Sequence, residues 1–146
     1  MQELKRILLV EDNVNDVELT LSALTSINLA NVVDVVEDGA EALDYLQYRG
    51  SFSERQKCNP VVIILDLKLP KISGLDVLKK IREDTALKHL PVVILTSSKE
   101  EKDLIMGYDL GVNAYVVKPV EYTAFITAIK ELGRFWAIIN EVSPNL

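Results

Sequence analysis

A chain of 146 residues, 49% of them hydrophobic, can bury a sizeable core and sits near the usual domain size of about 100–150 residues, so one domain is expected over 1–146. Its formal net charge of −6 disfavours direct binding to nucleic acid, whose phosphates repel an acidic surface. No stretch approaches the roughly 20 uninterrupted apolar residues of a membrane helix, Met1-Gln2-Glu3-Leu4-Lys5-Arg6 lacks a signal-peptide pattern, and the lone Cys58 excludes an internal disulfide and suits a cytoplasmic protein.

In chain order, Ile7-Leu8-Leu9-Val10 is a short apolar run without polar alternation, the pattern of a parallel strand covered on both faces, and Glu11-Asp12 follows it. Val14, Val17, Leu21 and Leu24 recur at steps of three or four and predict a helix. Val32-Val33-Asp34-Val35-Val36 reads as a strand nearer an edge, followed by Glu37-Asp38. Gly50 to Pro60 is polar and long for a helix-to-strand connection and is expected to be a surface loop. Val61-Val62-Ile63-Ile64-Leu65 is a third strand closed by Asp66. Ser73-Gly74-Leu75-Asp76 sets a serine three residues before an acid, a helix-start pattern that Ser98-Lys99-Glu100-Glu101 repeats. Between them Val92-Val93-Ile94-Leu95 is a fourth strand leading into Thr96, and His89 reads as an exposed loop residue. Gly111 after Leu110 predicts a helix stop. Ala114-Tyr115-Val116-Val117 is a fifth strand leading into Lys118-Pro119, and Phe125, Ile129, Leu132 and Trp136 mark a last helix. Strands and helices therefore alternate over residues 5–139, an α/β pattern that implies right-handed crossovers and a parallel sheet between helix layers.

Ligands of such sheets bind beyond the carboxyl ends of the strands. Glu11-Asp12, Asp66, Thr96 and Lys118 all leave strands there. Crowded carboxylates repel unless a cation neutralises them, and oxygen-only ligands suit a hard divalent ion such as magnesium, or manganese in its place. With that ion present, Asp66 can attack phosphorus as a nucleophile and form an acyl phosphate. Thr96 and Lys118 would then hold the oxygens of the transferring group. An acid closing a buried strand needs partners, which makes Asp66 the most informative of these residues.

The same residues carry a resemblance. Ile7-Leu8-Leu9-Val10-Glu11-Asp12-Asn13, Ile64-Leu65-Asp66-Leu67-Lys68-Leu69-Pro70 with Gly74, Leu95-Thr96-Ser97 and Lys118-Pro119 are similar to the receiver domains of two-component response regulators over essentially the whole chain. The resemblance implies a flavodoxin-like receiver fold, a doubly wound five-stranded parallel sheet of order 2-1-3-4-5, with Asp66 as phosphoacceptor. It implies that Asp12 and Asp66 ligate the metal directly, Lys68 adds its backbone carbonyl, and Glu11 acts through water. A cis Lys118-Pro119 bond would aim the ammonium into the pocket. Thr96 and Tyr115 would form the switch, and Lys68 and Ser98 would tune phosphoryl lifetime. The donor would be a phosphohistidine on a sensor histidine kinase. This agrees with the acidic pair standing where a glycine-rich phosphate loop would otherwise follow the first strand. The long loop before the third strand, and the ending Phe135-Trp136-Ala137-Ile138-Ile139-Asn140-Glu141, look similar to regulators that partner phytochrome kinases.

Other functions fit less well. A haloacid-dehalogenase-type phosphatase needs a second aspartate two residues after the nucleophile, where Lys68 stands, and usually a cap domain. A flavodoxin-type flavin module needs a Ser/Thr/Gly-rich loop where Glu11-Asp12 lies. The protein is therefore expected to be a phosphoacceptor switch and not an enzyme in the ordinary sense, although service as a phosphoryl sink or relay stays open. With the core at 5–139 and a tail at 140–146, no output domain is expected. The signal is expected to pass through the surface of the fourth helix, fifth strand and fifth helix. Phe135, Trp136, Ile138 and Ile139 cannot all face one core stripe, and they suggest a partner surface or a homodimer.

Overall fold

The computed structural model describes residues 6–26, 33–56, 58–97, 109–118, 123–125 and 127. β1 (Ile7–Val10), β2 (Val33–Val36), β3 (Val62–Asp66), β4 (Val92–Thr96) and β5 (Ala114–Val117) form one all-parallel sheet in the order β2-β1-β3-β4-β5. That is the order the resemblance implies. β3 and β4 run one residue further than their apolar runs, so Asp66 and Thr96 belong to the sheet itself. α1 (Val14–Thr25), α2 (Gly39–Leu46) and α3 (Gly74–Glu83) are the described crossover helices. The helix expected after Ser98 and most of the helix carrying Ile129, Leu132 and Trp136 lie outside the described residues, as does Pro119 with its expected cis bond. Residues 123–125 are helical, and Phe125 is fully buried.

Each described helix starts on a side-chain oxygen that satisfies an otherwise unpaired amide. Asn13 Oδ1 accepts from Asp16 N at 3.0 Å, Asp38 Oδ1 from Glu41 N at 2.7 Å, and Ser73 Oγ from Asp76 N at 3.2 Å. Strand alternation then divides the core in two. Ile7, Leu9, Val62, Ile64, Val93, Leu95, Ala114 and Val116 pack with Ala23 and Leu24 of α1 and with Phe125. Leu8, Val10, Val36, Ile63, Leu65, Val92 and Ile94 pack on the other face with α2 and α3.

One expectation changes, and another is filled in. Val14 is 68% exposed, whereas Leu24 is buried with Thr20 and Ala23, and Val17 packs against the same core. Val14 is the first helical residue, past the ends of the strands that the helix covers. The segment from Gly50 to Pro60 is fastened down as well as polar. It opens with a 3-10 turn at Gly50–Phe52, and the Arg55 guanidinium lies 3.8 Å from the Tyr45 ring centre and 4.3 Å from that of Tyr48. Arg55 also donates to Tyr45 O at 2.7 Å and Cys58 O at 3.0 Å. Cation–π stacking and carbonyl pairing together hold this loop on α2.

At the amino end of the sheet, Arg82 of α3 donates to Leu90 O at 2.8 Å, Leu110 O at 2.6 Å and Gly111 O at 2.9 Å, joining the approaches to β4 and β5. Burial pushes its guanidinium below the ordinary arginine value without a carboxylate partner in that set. At the carboxyl end, Gly74 N donates to Leu67 O at 2.9 Å, and a Cβ on Gly74 would lie 2.2 Å from Asp66 O. Only glycine allows α3 to start this close to the Asp66 backbone. Gly74→Ala is expected to destabilise the fold by about 1–3 kcal/mol through overpacking, read as a lowered urea midpoint. An unchanged midpoint would mean that the turn has room to spare.

Candidate functional site

The period of two along each strand decides which side chains meet. Glu11 continues the Ile7–Leu9 series, Asp66 the Val62–Ile64 series and Lys118 the Ala114–Val116 series, so all three lie on the face covered by α1. Glu11 N donates to Val36 O at 3.0 Å and Lys118 N to Thr96 O at 2.7 Å, extending the strand ladders into the site. Lys118 Nζ stands 2.9 Å from Asp66 Oδ2, 3.2 Å from Glu11 Oε2 and 3.0 Å from Asp16 Oδ2.

Glu11 is fully buried. Its Oε2 accepts from Asn13 N at 3.1 Å, while Oε1 lies 3.0 Å from Lys118 Nζ as an ion pair, yet has no hydrogen-bond partner. Burial, together with hydrogen bonding to Asp66 and its charge, pushes the Glu11 carboxyl up to about 7, against the opposing pull of Lys118 and Asn13. For Lys118, burial alone would lower the ammonium pKa. Hydrogen bonds to Asp66, Asp16 and Glu11 and the Asp66 charge more than reverse this, and hold it above the ordinary lysine value.

Ligand oxygens of Glu11, Asp12 and Asp66 all lie within 4.8 Å of one another. The set is carboxylate-only, Asp12 is exposed, and the buried Oε1 of Glu11 has the Lys118 ammonium as an ion-pair partner but no hydrogen-bond donor. These features fit a hard divalent ion.

Thr96 is fully buried and ends β4 one residue beyond Leu95, which is in register with Asp66. By alternation Thr96 shares the α2–α3 face with Ile94, and Tyr115, in register with Ile94, packs against the same cluster. The two expected switch residues thus belong to the face opposite Glu11, Asp66 and Lys118. Burial raises the Tyr115 hydroxyl above its ordinary value. Lys68 is exposed, and its backbone N–H donates to Asp66 Oδ1 at 3.2 Å. Ser98, Phe135, Trp136, Ile138 and Ile139 lie outside the described residues.

Sequence reasoning missed Asp16. Its signal was the Asn13-Val14-Asn15-Asp16 spacing, which is a helix cap followed by an acid in the first turn. Such a carboxylate looks like helix stabilisation until the fold brings Lys118 to it.

Comparison with known proteins agrees with this geometry. Residues 7–130 match the family described as response regulator receiver domain. Response regulator Rcp1 of Synechocystis sp. is 36% identical over 132 residues, covering 90% of this chain and 88% of Rcp1. A Mn2+-bound form of Rcp1 superposes with a TM-score of 0.73 at 36% identity, covering 90% of this chain and 94% of that one. The bacteriophytochrome response regulator RtBRR is 58% identical, with a TM-score of 0.89 and coverage of 97% of this chain and 86% of its own. The phosphorylated cyanobacterial phytochrome response regulator RcpA is 38% identical, with a TM-score of 0.74 and coverage of 92% and 95%.

Lys118 grips oxygens that a cation would need, which sets the sign of two substitutions. Asp12→Asn is expected to weaken Mn2+ binding by about tenfold, equivalent to about 1.4 kcal/mol. Lys118→Met is expected to tighten it, because a competing positive charge leaves the acids. Calorimetric titration of each variant checks both directions, and a Lys118→Met protein with weakened binding would contradict the competition.

Proposed function

The chain belongs to the response regulator receiver family, and from that premise we propose that it is a two-component signalling switch accepting a phosphoryl group on Asp66. The observation that carries this reading is the Asp66 carboxylate at a strand end, within the three-acid cluster and 2.9 Å from the Lys118 ammonium. An Asp66 oxygen attacks the phosphorus of a kinase phosphohistidine. As the new P–O bond forms the P–N bond breaks, and its electron pair leaves with the imidazole. Lys118 donates N–H to the transferring oxygens, and the Thr96 hydroxyl donates to another. Asp12 and Asp66, with the Lys68 backbone carbonyl and with Glu11 through water, would hold a magnesium ion, which would supply positive charge to offset the phosphoryl oxygens. The Mn2+-bound Rcp1 relative supports a divalent ion of this type.

The signal leaves by the other face of the sheet. Thr96 is drawn toward the phosphoryl group, and Tyr115, which shares its face, turns into the space released. This changes the surface of the fourth helix, β5 and the fifth helix. Lys68, exposed beside the acceptor, and Ser98 tune how long the phosphoryl group survives. The chain acts as one cytoplasmic receiver domain, and it forms a homodimer through Phe135, Trp136, Ile138 and Ile139. The donor is a sensor histidine kinase of the phytochrome type, as the names of RtBRR and RcpA suggest.

Asp66→Asn is expected to abolish labelling by acetyl phosphate in the presence of Mg2+, measured by intact-protein mass spectrometry. A labile phosphoryl group surviving in that variant would move the acceptor elsewhere. Sedimentation velocity over a concentration series is expected to show a dimer that Trp136→Ala weakens, and a strict monomer at every concentration, with and without beryllofluoride, would remove the dimer.

A further inference from the structure

The Lys118 ammonium has three N–H donors and no acceptor, and it faces three carboxylates: Asp66 at 2.9 Å, Asp16 at 3.0 Å and Glu11 at 3.0 Å and 3.2 Å. Two of these acids, Glu11 and Asp66, belong to the cluster that fits a divalent ion, and Asp66 is also the acceptor in the proposed function. Asp16 stands apart from that cluster among the described residues. It approaches from α1, on the side of the sheet that Lys118 shares, and its side chain is only 16% exposed. Its backbone is fixed as well, since Asp16 N donates to Asn13 Oδ1 while Asn13 N donates to Glu11 Oε2.

During the reaction the other two partners change state. Glu11 and Asp66 would turn their charge toward a bound cation, and one Asp66 oxygen then forms the bond to phosphorus. Asp16 is the one acid around Lys118 that the chemistry leaves untouched. On the reading of Asp66 as phosphoacceptor, we infer that Asp16 is a positioning residue, anchoring the Lys118 ammonium from α1 so that the remaining N–H groups stay aimed at the phosphoryl oxygens. The lysine arrives on the short segment after β5, with a long flexible side chain, and a fixed carboxylate restricts it without entering the reaction.

A double-mutant cycle tests this on the full chain. Labelling by acetyl phosphate with Mg2+ is followed for wild type, Asp16→Ala, Lys118→Ala and the double variant. Asp16→Ala is expected to slow labelling about tenfold in the wild-type background and not at all in the Lys118→Ala background. Asp16→Asn, which keeps an acceptor, should fall between. Equal slowing in both backgrounds would reduce Asp16 to support of the helix start and overturn the inference, and so would no slowing. A wild type that takes no label would sink the phosphoacceptor reading itself. The anchor is then judged by the Lys118 side-chain 1H–15N resonance in the unphosphorylated protein. Its hydrogens are expected to exchange slowly in wild type and at least about tenfold faster in Asp16→Ala. Unchanged exchange would overturn the anchor.

Discussion

Placing Glu11 and Asp66 at the ends of neighbouring buried strands crowds like charges where water cannot fully screen them, and the Lys118 ammonium is what makes that tolerable. Removing one partner from such a group leaves an uncompensated charge, which costs far more than the intact pairing returns. Lys118 therefore ties β1, β3, β5 and the first turn of α1 to one point. The sheet order makes this possible. β1 and β3 are direct neighbours, and β5 reaches the site from beyond β4 only because a long lysine spans the gap. The balance stays incomplete, because Asp12 adds another acid and Glu11 Oε1 lacks a hydrogen-bond donor. A surplus of negative charge at one point is a standing demand for a cation.

Much of this was legible in the sequence, for identifiable reasons. Parallel strands buried on both faces read as unbroken apolar runs, so β1, β3 and β4 stand out, and the polar residue ending each run marks the carboxyl edge of the sheet. Ser73 was legible because a cap needs a particular residue type, whereas the close backbone approach at Gly74 shows only in the fold. Asp16 was not, because its partner lies 102 positions away (118 − 16) and local spacing shows only a helix start. Val14 misled because it obeys the helical period while sitting past the strands the helix covers. Arg55 was hidden in a polar segment, since nothing local says that its guanidinium will stack on Tyr45 and Tyr48.

The two ends of the sheet use their charged residues differently. At the amino end Arg82 donates to backbone carbonyls of the segments entering β4 and β5. Arg6 meets Asp34 at 2.8 Å, and there burial, which would raise the Asp34 carboxyl, is outweighed by hydrogen bonds from Arg6 and Tyr45 and by the Arg6 and Arg55 charges, which hold it below its usual value. These groups are matched donor to acceptor and leave no demand. Among the described residues, Glu11, Asp12, Asp16 and Asp66 gather at the carboxyl end around Lys118, and burial, with the Asp66 hydrogen bond and charge second, pushes the Glu11 carboxyl up to about 7. Local rules are obeyed where the fold is fastened and broken where the chemistry is expected.

Strand alternation gives the imbalance a direction. Glu11, Asp66 and Lys118 face α1, whereas Thr96 and Tyr115 share the face of α2 and α3. Thr96 ends β4 one step beyond the Leu95 that pairs with Asp66, on the opposite face of the sheet. Thr96 is small and fully buried, and the tyrosine on its face belongs to β5, the edge strand of the sheet. Closely packed interiors resist continuous deformation, and on the proposed reading a signal arising between buried strands would leave along such an edge. The charge-dense site and the edge through which it can be read are fixed by the same period of two.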